Sequence, residues 1–164
     1  MEIDKRMTRN KPIQIVDLFA GPGGLGEGFS SVGNRFQILV SAEMEESAHK
    51  TLMLRAYYRI LKRKAPNLLT DYYKYCNGEA VNPWSPATEQ YWIQAKSEVR
   101  QVTLGTERGN KDLDEAIQNG LDRSLDWVLI GGPPCQAYSL VGRARNKGTE
   151  GYAAENDQRH FLYK

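Results

Sequence analysis

A short apolar, β-branched run, Ile13 to Phe19, breaks abruptly into Ala20-Gly21-Pro22-Gly23-Gly24. Branched side chains suit a buried strand, and glycines permit positive φ and a close backbone approach, so the segment reads as a strand feeding a tight turn. A helix is expected from about Leu25 to Val32. Phe36 to Ala42 is a second short apolar run with Glu43 at its end. Glu45 to Lys64 is rich in helix formers, and Ala48, Leu52, Leu54, Ile60 and Leu61 loosely trace one helical face. Strand, turn, helix, strand, helix is the opening of a doubly wound, Rossmann-like α/β sheet.

Beyond this the pattern weakens. Residues 65–104 carry Pro66, Pro83 and Pro86 with many aromatics, and read as an irregular insertion on the sheet edge, with a helix over Thr88 to Val99. Val99 to Leu104 reads as a strand and Asp112 to Leu121 as a helix. Trp127 to Ile130 is a further strand, running into Gly131-Gly132-Pro133-Pro134-Cys135. Four strands are fewer than a doubly wound sheet usually has, and residues after Asp157 look like a helix cut short, so a fragment is expected. Residues 1–12 form a polar extension without the apolar core of a secretion signal. No apolar run is long enough to span a bilayer. The two cysteines, Cys76 and Cys135, suggest neither a disulfide framework nor a metal site, and the simplest compartment is the reducing cytoplasm. With 22 basic and 20 acidic residues, net charge does not announce a nucleic-acid binder. Of the two basic clusters, Arg59 to Lys64 reads as a solvated helix end, and only Arg143 to Lys147 adjoins a candidate site.

Two loops carry chemistry. In the first, Asp17 to Gly26, glycines let the backbone approach a ligand, and Glu43 at the next strand end offers a carboxylate to the hydroxyls of a ribose. The pattern departs from GxGxxG and lacks the GK[ST] of a phosphate loop; Asp17 favours a cationic or zwitterionic ligand over a pyrophosphate. In the second, Pro133 and Pro134 fix φ and remove two backbone donors, so the loop is stiff and holds the Cys135 thiol at one point. A cysteine at a helix start gains thiolate character and becomes a covalent nucleophile. The two histidines, His49 and His160, lie far from it in sequence, and no protease-like spacing supports a pairing with His160.

Asp17-Leu18-Phe19-Ala20-Gly21-x-Gly23-Gly24 resembles motif I of the DNA cytosine-5 methyltransferases. Gly132-Pro133-Pro134-Cys135-Gln136-x-x-Ser139 resembles their catalytic motif IV, and Asp157-x-Arg159-x-x-Leu162 their motif V. The resemblance runs from about Ile13 to the end, interrupted at 65–104, and implies a partial S-adenosylmethionine-dependent catalytic domain over 13–164 without its target recognition domain. It implies that Cys135 attacks C6 of a cytosine flipped out of double-stranded DNA, with Pro134 offering its carbonyl to the base and Gln136 beside it. It implies that Asp17, Phe19, Ala20, Gly21, Pro22, Gly23 and Gly24 surround S-adenosylmethionine, that Glu43 takes its ribose, and that Met44, Pro133 and Leu162 line its pocket. Ser139, Arg143 and Arg145 follow the catalytic loop and are placed to hold phosphates, a solvated basic loop being the equal alternative.

The sequence departs from that family where it matters. Val102 to Gly105 lacks the aspartate expected near the adenine amino group, for which Asp112 or Asp114 are substitutes. The Glu-Asn-Val element is missing, and Glu155-Asn156 mimics it in letters only. A bacterial restriction-modification or orphan methyltransferase is the leading expectation. The competing ones are a relative acting on transfer RNA, a non-catalytic cofactor-binding fragment, and a nicotinamide oxidoreductase, which the Pro-Pro-Cys-Gln loop disfavours. Oligomeric state is not legible.

Overall fold

The computed structural model describes residues 11–133. Its elements follow in the order β1 (Ile13–Leu18), α1 (Gly24–Ser30), β2 (Phe36–Glu43), α2 (Glu46–Lys64), α3 (Leu69–Cys76), α4 (Glu89–Glu98), β3 (Val99–Gln101), α5 (Glu107–Gly120) and β4 (Trp127–Gly131), with one-turn 3-10 segments before β2 and α3. The four strands form one parallel sheet in the order β3-β2-β1-β4.

The central position of β1 explains its composition. Ile15 and Val16 are fully buried, since a strand flanked on both edges in a parallel sheet meets little water. Alternation divides its side chains. Val16 and Leu18 join Val40 and Ala42 of β2 in a cluster closed by Leu113 and Ile117 of α5. A Cβ on Gly26 of α1 would instead lie 3.2 Å from Asp17 and 3.6 Å from Ile38, so α1 rests on a side of the strands that carries Asp17. Gln14 is buried but satisfied: its amide donates to the Asp122 carbonyl at 2.8 Å and accepts from the Asp122 N–H at 3.0 Å. That pair pins the connection between α5 and β4.

Residues 65–104 are more regular than their prolines suggest. Pro66 opens a 3-10 turn, while Pro83 and Pro86 fall in the connection between α3 and α4, so no proline interrupts either helix. Asp71 of α3 accepts hydrogen bonds from Ser85 and from Thr88, the fully buried residue at the head of α4. Tyr57 of α2 packs edge-on against Trp92 of α4 with ring centroids 5.3 Å apart, and Tyr58, Tyr72 and Tyr73 extend the aromatic cluster. Tyr57, Tyr72, Trp84 and Trp92 therefore pack in or against the core. Trp127 on β4 is half exposed.

Two boundaries moved. α5 begins at Glu107, five residues before the expected start, because Thr106 caps it by accepting from the Gly109 N–H at 3.1 Å. β3 ends at Gln101, and residues 102–105 continue as a connection to that cap. Among the described residues no helix is long and apolar enough to cross a membrane.

Candidate cofactor site

The site is built where two strands end side by side. Leu18 of β1 lies opposite Gly131 of β4 in register. A Cβ on Gly131 would meet the Leu18 carbonyl at 2.5 Å, so only glycine allows this approach. In the order β3-β2-β1-β4, successive connections run outward from β1 in one direction and then cross to its other flank at β4. Ligands of open α/β sheets bind at such a reversal, beyond the carboxyl ends of the strands. The glycine turn after β1 and the Gly132-Pro133 segment after β4 both leave the sheet there.

The turn itself is tightly specified. Phe19 has φ of 54°, the one non-glycine residue with positive φ among those described, and a bulky side chain held left-handed marks stored backbone strain. Past it, the Ala20 N–H donates to the Ala42 carbonyl at 3.0 Å, hooking the turn onto β2. Gly21 and Gly23 also take positive φ, 56° and 90°. A Cβ on Gly23 would sit 2.7 Å from Leu52 of α2, whereas one on Gly21 would meet open space. Pro22 and Gly24 are exposed, and Gly21 is partly so.

Glu43 closes the other side. One carboxylate oxygen accepts from the Gly21 N–H at 2.8 Å, and the other from the N–H groups of Met44 at 2.9 Å and Glu45 at 2.8 Å. An ionised carboxylate offers about four acceptor positions, so one remains for a hydroxyl donor. Met44 beside it is 61% exposed, an apolar side chain with free surface.

Asp17 is 1% exposed, and neither carboxylate oxygen has a hydrogen-bond partner among the described residues. Burial pushes its pKa up to about 6, opposed by the charge of Arg59. Closed in beneath Gly26, the group offers a ligand over the turn its field rather than direct contact.

Arg59 is the residue the sequence reading missed. It is not part of a solvated helix end: its side chain is 15% exposed, and it donates to Glu27 of α1 at 2.8 Å and to Glu98 at the end of α4. Burial pushes the Glu98 carboxyl up to about 7, against the pull of Arg59 and Arg63, while Glu27 adds to the rise. The following Lys62, Arg63 and Lys64 are exposed, as expected. A basic residue one turn before a lysine-arginine run gives no local sign of pairing with partners 32 and 39 positions away.

Of the substitutes for the missing adenine-contacting aspartate, Asp112 lines a surface cleft with Leu39, Arg100 and Gly120, and Asp114 is exposed on α5. Pro134, Cys135, Gln136, Ser139, Arg143, Arg145 and Leu162 lie outside the described residues.

This four-stranded parallel sheet with five helices is compatible with the Rossmann-like methyltransferase class. Over nearly its whole length the chain is related to proteins named as type II methyltransferases and as a DNA-cytosine methyltransferase. It is 34% identical to a type II methyltransferase of Bacillus paralicheniformis over 92% of this chain and 36% of that protein. It is 27% identical to a type II methyltransferase of Thalassovita gelatinovora, over 92% of this chain and 23% of the relative. It is 25% identical to the DNA-cytosine methyltransferase of Escherichia coli K12, over 91% of this chain and 25% of the relative. The chain spans about a quarter to a third of the length of these curated relatives. No family model matches the chain, and no solved structure matches it significantly.

Proposed function

We propose that this chain is the cofactor-binding and nucleophile-bearing part of a DNA cytosine-5 methyltransferase that takes its methyl group from S-adenosylmethionine, on a sheet of the doubly wound type. The observation that carries the reading is the adjacency of the two strand ends: the glycine turn after Leu18 and the proline loop after Gly131 leave the sheet as neighbours. In this reading a nucleoside sits at the first and the nucleophile belongs to the second. The type II and DNA-cytosine names of the relatives support DNA as substrate and a bacterial restriction-modification setting.

The residues present fit the cofactor. Glu43 has an acceptor position left for a ribose hydroxyl and is already fixed by three backbone donors, so it needs no reordering on binding. Phe19, turned out of the strand by its left-handed backbone, and exposed Met44 supply apolar surface for a purine. The Asp17 carboxylate, without a hydrogen-bond partner among the described residues, favours a ligand with cationic groups. Bound S-adenosylmethionine supplies an electrophilic methyl group.

The chain's own chemistry is nucleophilic catalysis. The Cys135 thiolate adds to C6 of a flipped-out cytosine, placing an electron pair at C5 that takes the methyl. Loss of the C5 proton then expels the thiolate. Pro134 offers its carbonyl to the cytosine amino group, Gln136 flanks the base, and Ser139, Arg143 and Arg145 hold phosphates near the flipped nucleotide. Pro133 and Leu162 wall the cofactor pocket. Residues 13–164 form the partial catalytic domain in this reading, base recognition belongs to another part of the protein, and the enzyme acts in the cytoplasm. The decisive experiment is transfer of labelled methyl groups by the whole protein to duplex DNA and, separately, to transfer RNA. Label in 5-methylcytosine of DNA supports the proposal; label in transfer RNA alone moves the substrate to RNA, and label in neither refutes methyl transfer to nucleic acid.

A further inference from the structure

We propose that Gln101 is a specificity-determining residue that reads the base of the cofactor, and that its carboxamide lets the site take a 6-oxopurine in place of adenine. The inference rests on the cofactor reading above and concerns a residue outside every sequence motif.

Gln101 is the last residue of β3 and the register partner of Glu43, the last residue of β2. The Val102 N–H donates to the Glu43 carbonyl at 3.1 Å, so the pairing holds to the strand ends. Neighbouring strands lie about 4.8 Å apart and paired residues share a face, which sets Gln101 beside Glu43 at the carboxyl edge of the sheet. The Glu43 carboxylate turns the other way, toward the Gly21 N–H that follows β1. Strands β1 and β3 flank β2 on opposite sides. A ribose held at Glu43 thus has the glycine turn on one flank and Gln101 on the other. A base extending from it toward β3 presents its far edge to Gln101.

Alternation leaves no other side chain of β3 for the task. Val99 is buried in the cluster built with α2 and α4. Arg100 belongs to the opposite face, where it lines a cleft with Asp112. Gln101 is exposed and lines a cavity of about 590 Å³ with His49, Met53, Trp92 and Val99, so its amide has room to turn over. An amide offers donors on one atom and an acceptor on the other. Adenine carries a donor at position 6 and an acceptor at N1; hypoxanthine carries an acceptor at position 6 and a donor at N1. Turned one way the amide pairs with the first, and turned over it pairs with the second. An ionised carboxylate only accepts, so at the same place it pairs with the 6-amino group and opposes a 6-oxo group.

The test is calorimetric titration of the full chain with S-adenosylhomocysteine and with S-inosylhomocysteine, which differ only at position 6 and N1 of the base. Wild type should bind the two with similar affinity. Gln101→Leu should weaken both about tenfold, the worth of two hydrogen bonds between neutral groups. Gln101→Glu should prefer the adenine compound by about tenfold or more, because the oxo group then faces an acceptor left unpaired. The ratio of the two affinities within one variant does not depend on how much of that variant is folded, so a loss of structure cannot imitate the change in preference. A wild type that discriminates as strongly as Gln101→Glu, or a Gln101→Leu that binds both compounds as tightly as wild type, overturns the inference while leaving the cofactor reading intact. Failure of wild type to bind either compound overturns the cofactor reading and this inference with it.

Discussion

The Glu43 carboxylate accepts a hydrogen bond from the Gly21 N–H at 2.8 Å, tying the turn after the first strand to the end of the second. One side chain thus shapes the glycine turn and keeps one acceptor position open beside it. Glu43→Ala removes both contributions. It should weaken S-adenosylmethionine binding by about 1.5–3 kcal/mol, the range for hydrogen bonds to a charged group. Isothermal titration measures this, and unchanged affinity removes Glu43 from the site.

Gly21 and Gly23 look equivalent in sequence and differ in the fold. Gly23→Ala combines positive φ with a Cβ 2.7 Å from Leu52, so it should destabilise the protein by about 2–3 kcal/mol. Gly21→Ala has the backbone penalty without the collision, about 1 kcal/mol. Denaturant unfolding should rank them in that order; equal losses would contradict the packing of α2 on the turn.

Asp17 shapes the pH dependence of stability. Its carboxyl titrates near 3.8 in an unfolded chain and about 6 in the fold, so folding favours the protonated form. The stability it lends is complete below about pH 4 and is lost as pH rises through about 6. Asp17→Asn should therefore add on the order of 2 kcal/mol of stability at about pH 8, seen as a higher melting temperature, and change it little at about pH 4. Thermal unfolding at the two pH values checks this, and a gain confined to low pH would reverse the sign. Glu98, pushed up to about 7, contributes a slope of the same sign.

What the sequence disclosed follows from what is local. The strand at Ile13 to Leu18, the turn, the acidic residue ending β2 and the strand into Gly131 each carry their signal within a few consecutive residues. Sequence separation hid the rest. Arg59 reads as the start of a basic run because its partners, Glu27 and Glu98, come from other helices. The helix expected over Thr88 to Val99 is found as Glu89–Glu98, whereas the one at Leu69–Cys76 was obscured by prolines that lie between elements rather than within them. The early start of α5 was missed because Thr106 and Gly109 act together, threonine as cap and glycine by close approach to the Thr103 carbonyl. Of the expected site, Asp17, Glu43 and the glycine turn come together, while Asp112, expected as a substitute for the missing aspartate, lines a cleft with Leu39, Arg100 and Gly120.

The measurement closest to the central claim is covalent trapping of the whole protein on duplex DNA carrying 5-fluorocytosine, in the presence of S-adenosylmethionine. Fluorine replaces the proton that must leave C5, so addition and methyl transfer should end in a stable adduct. Peptide mass spectrometry should place that adduct on Cys135, and Cys135→Ser should abolish it while leaving cofactor affinity intact. An adduct that persists in Cys135→Ser, or no adduct from protein that transfers methyl groups to cytosine, would contradict the account.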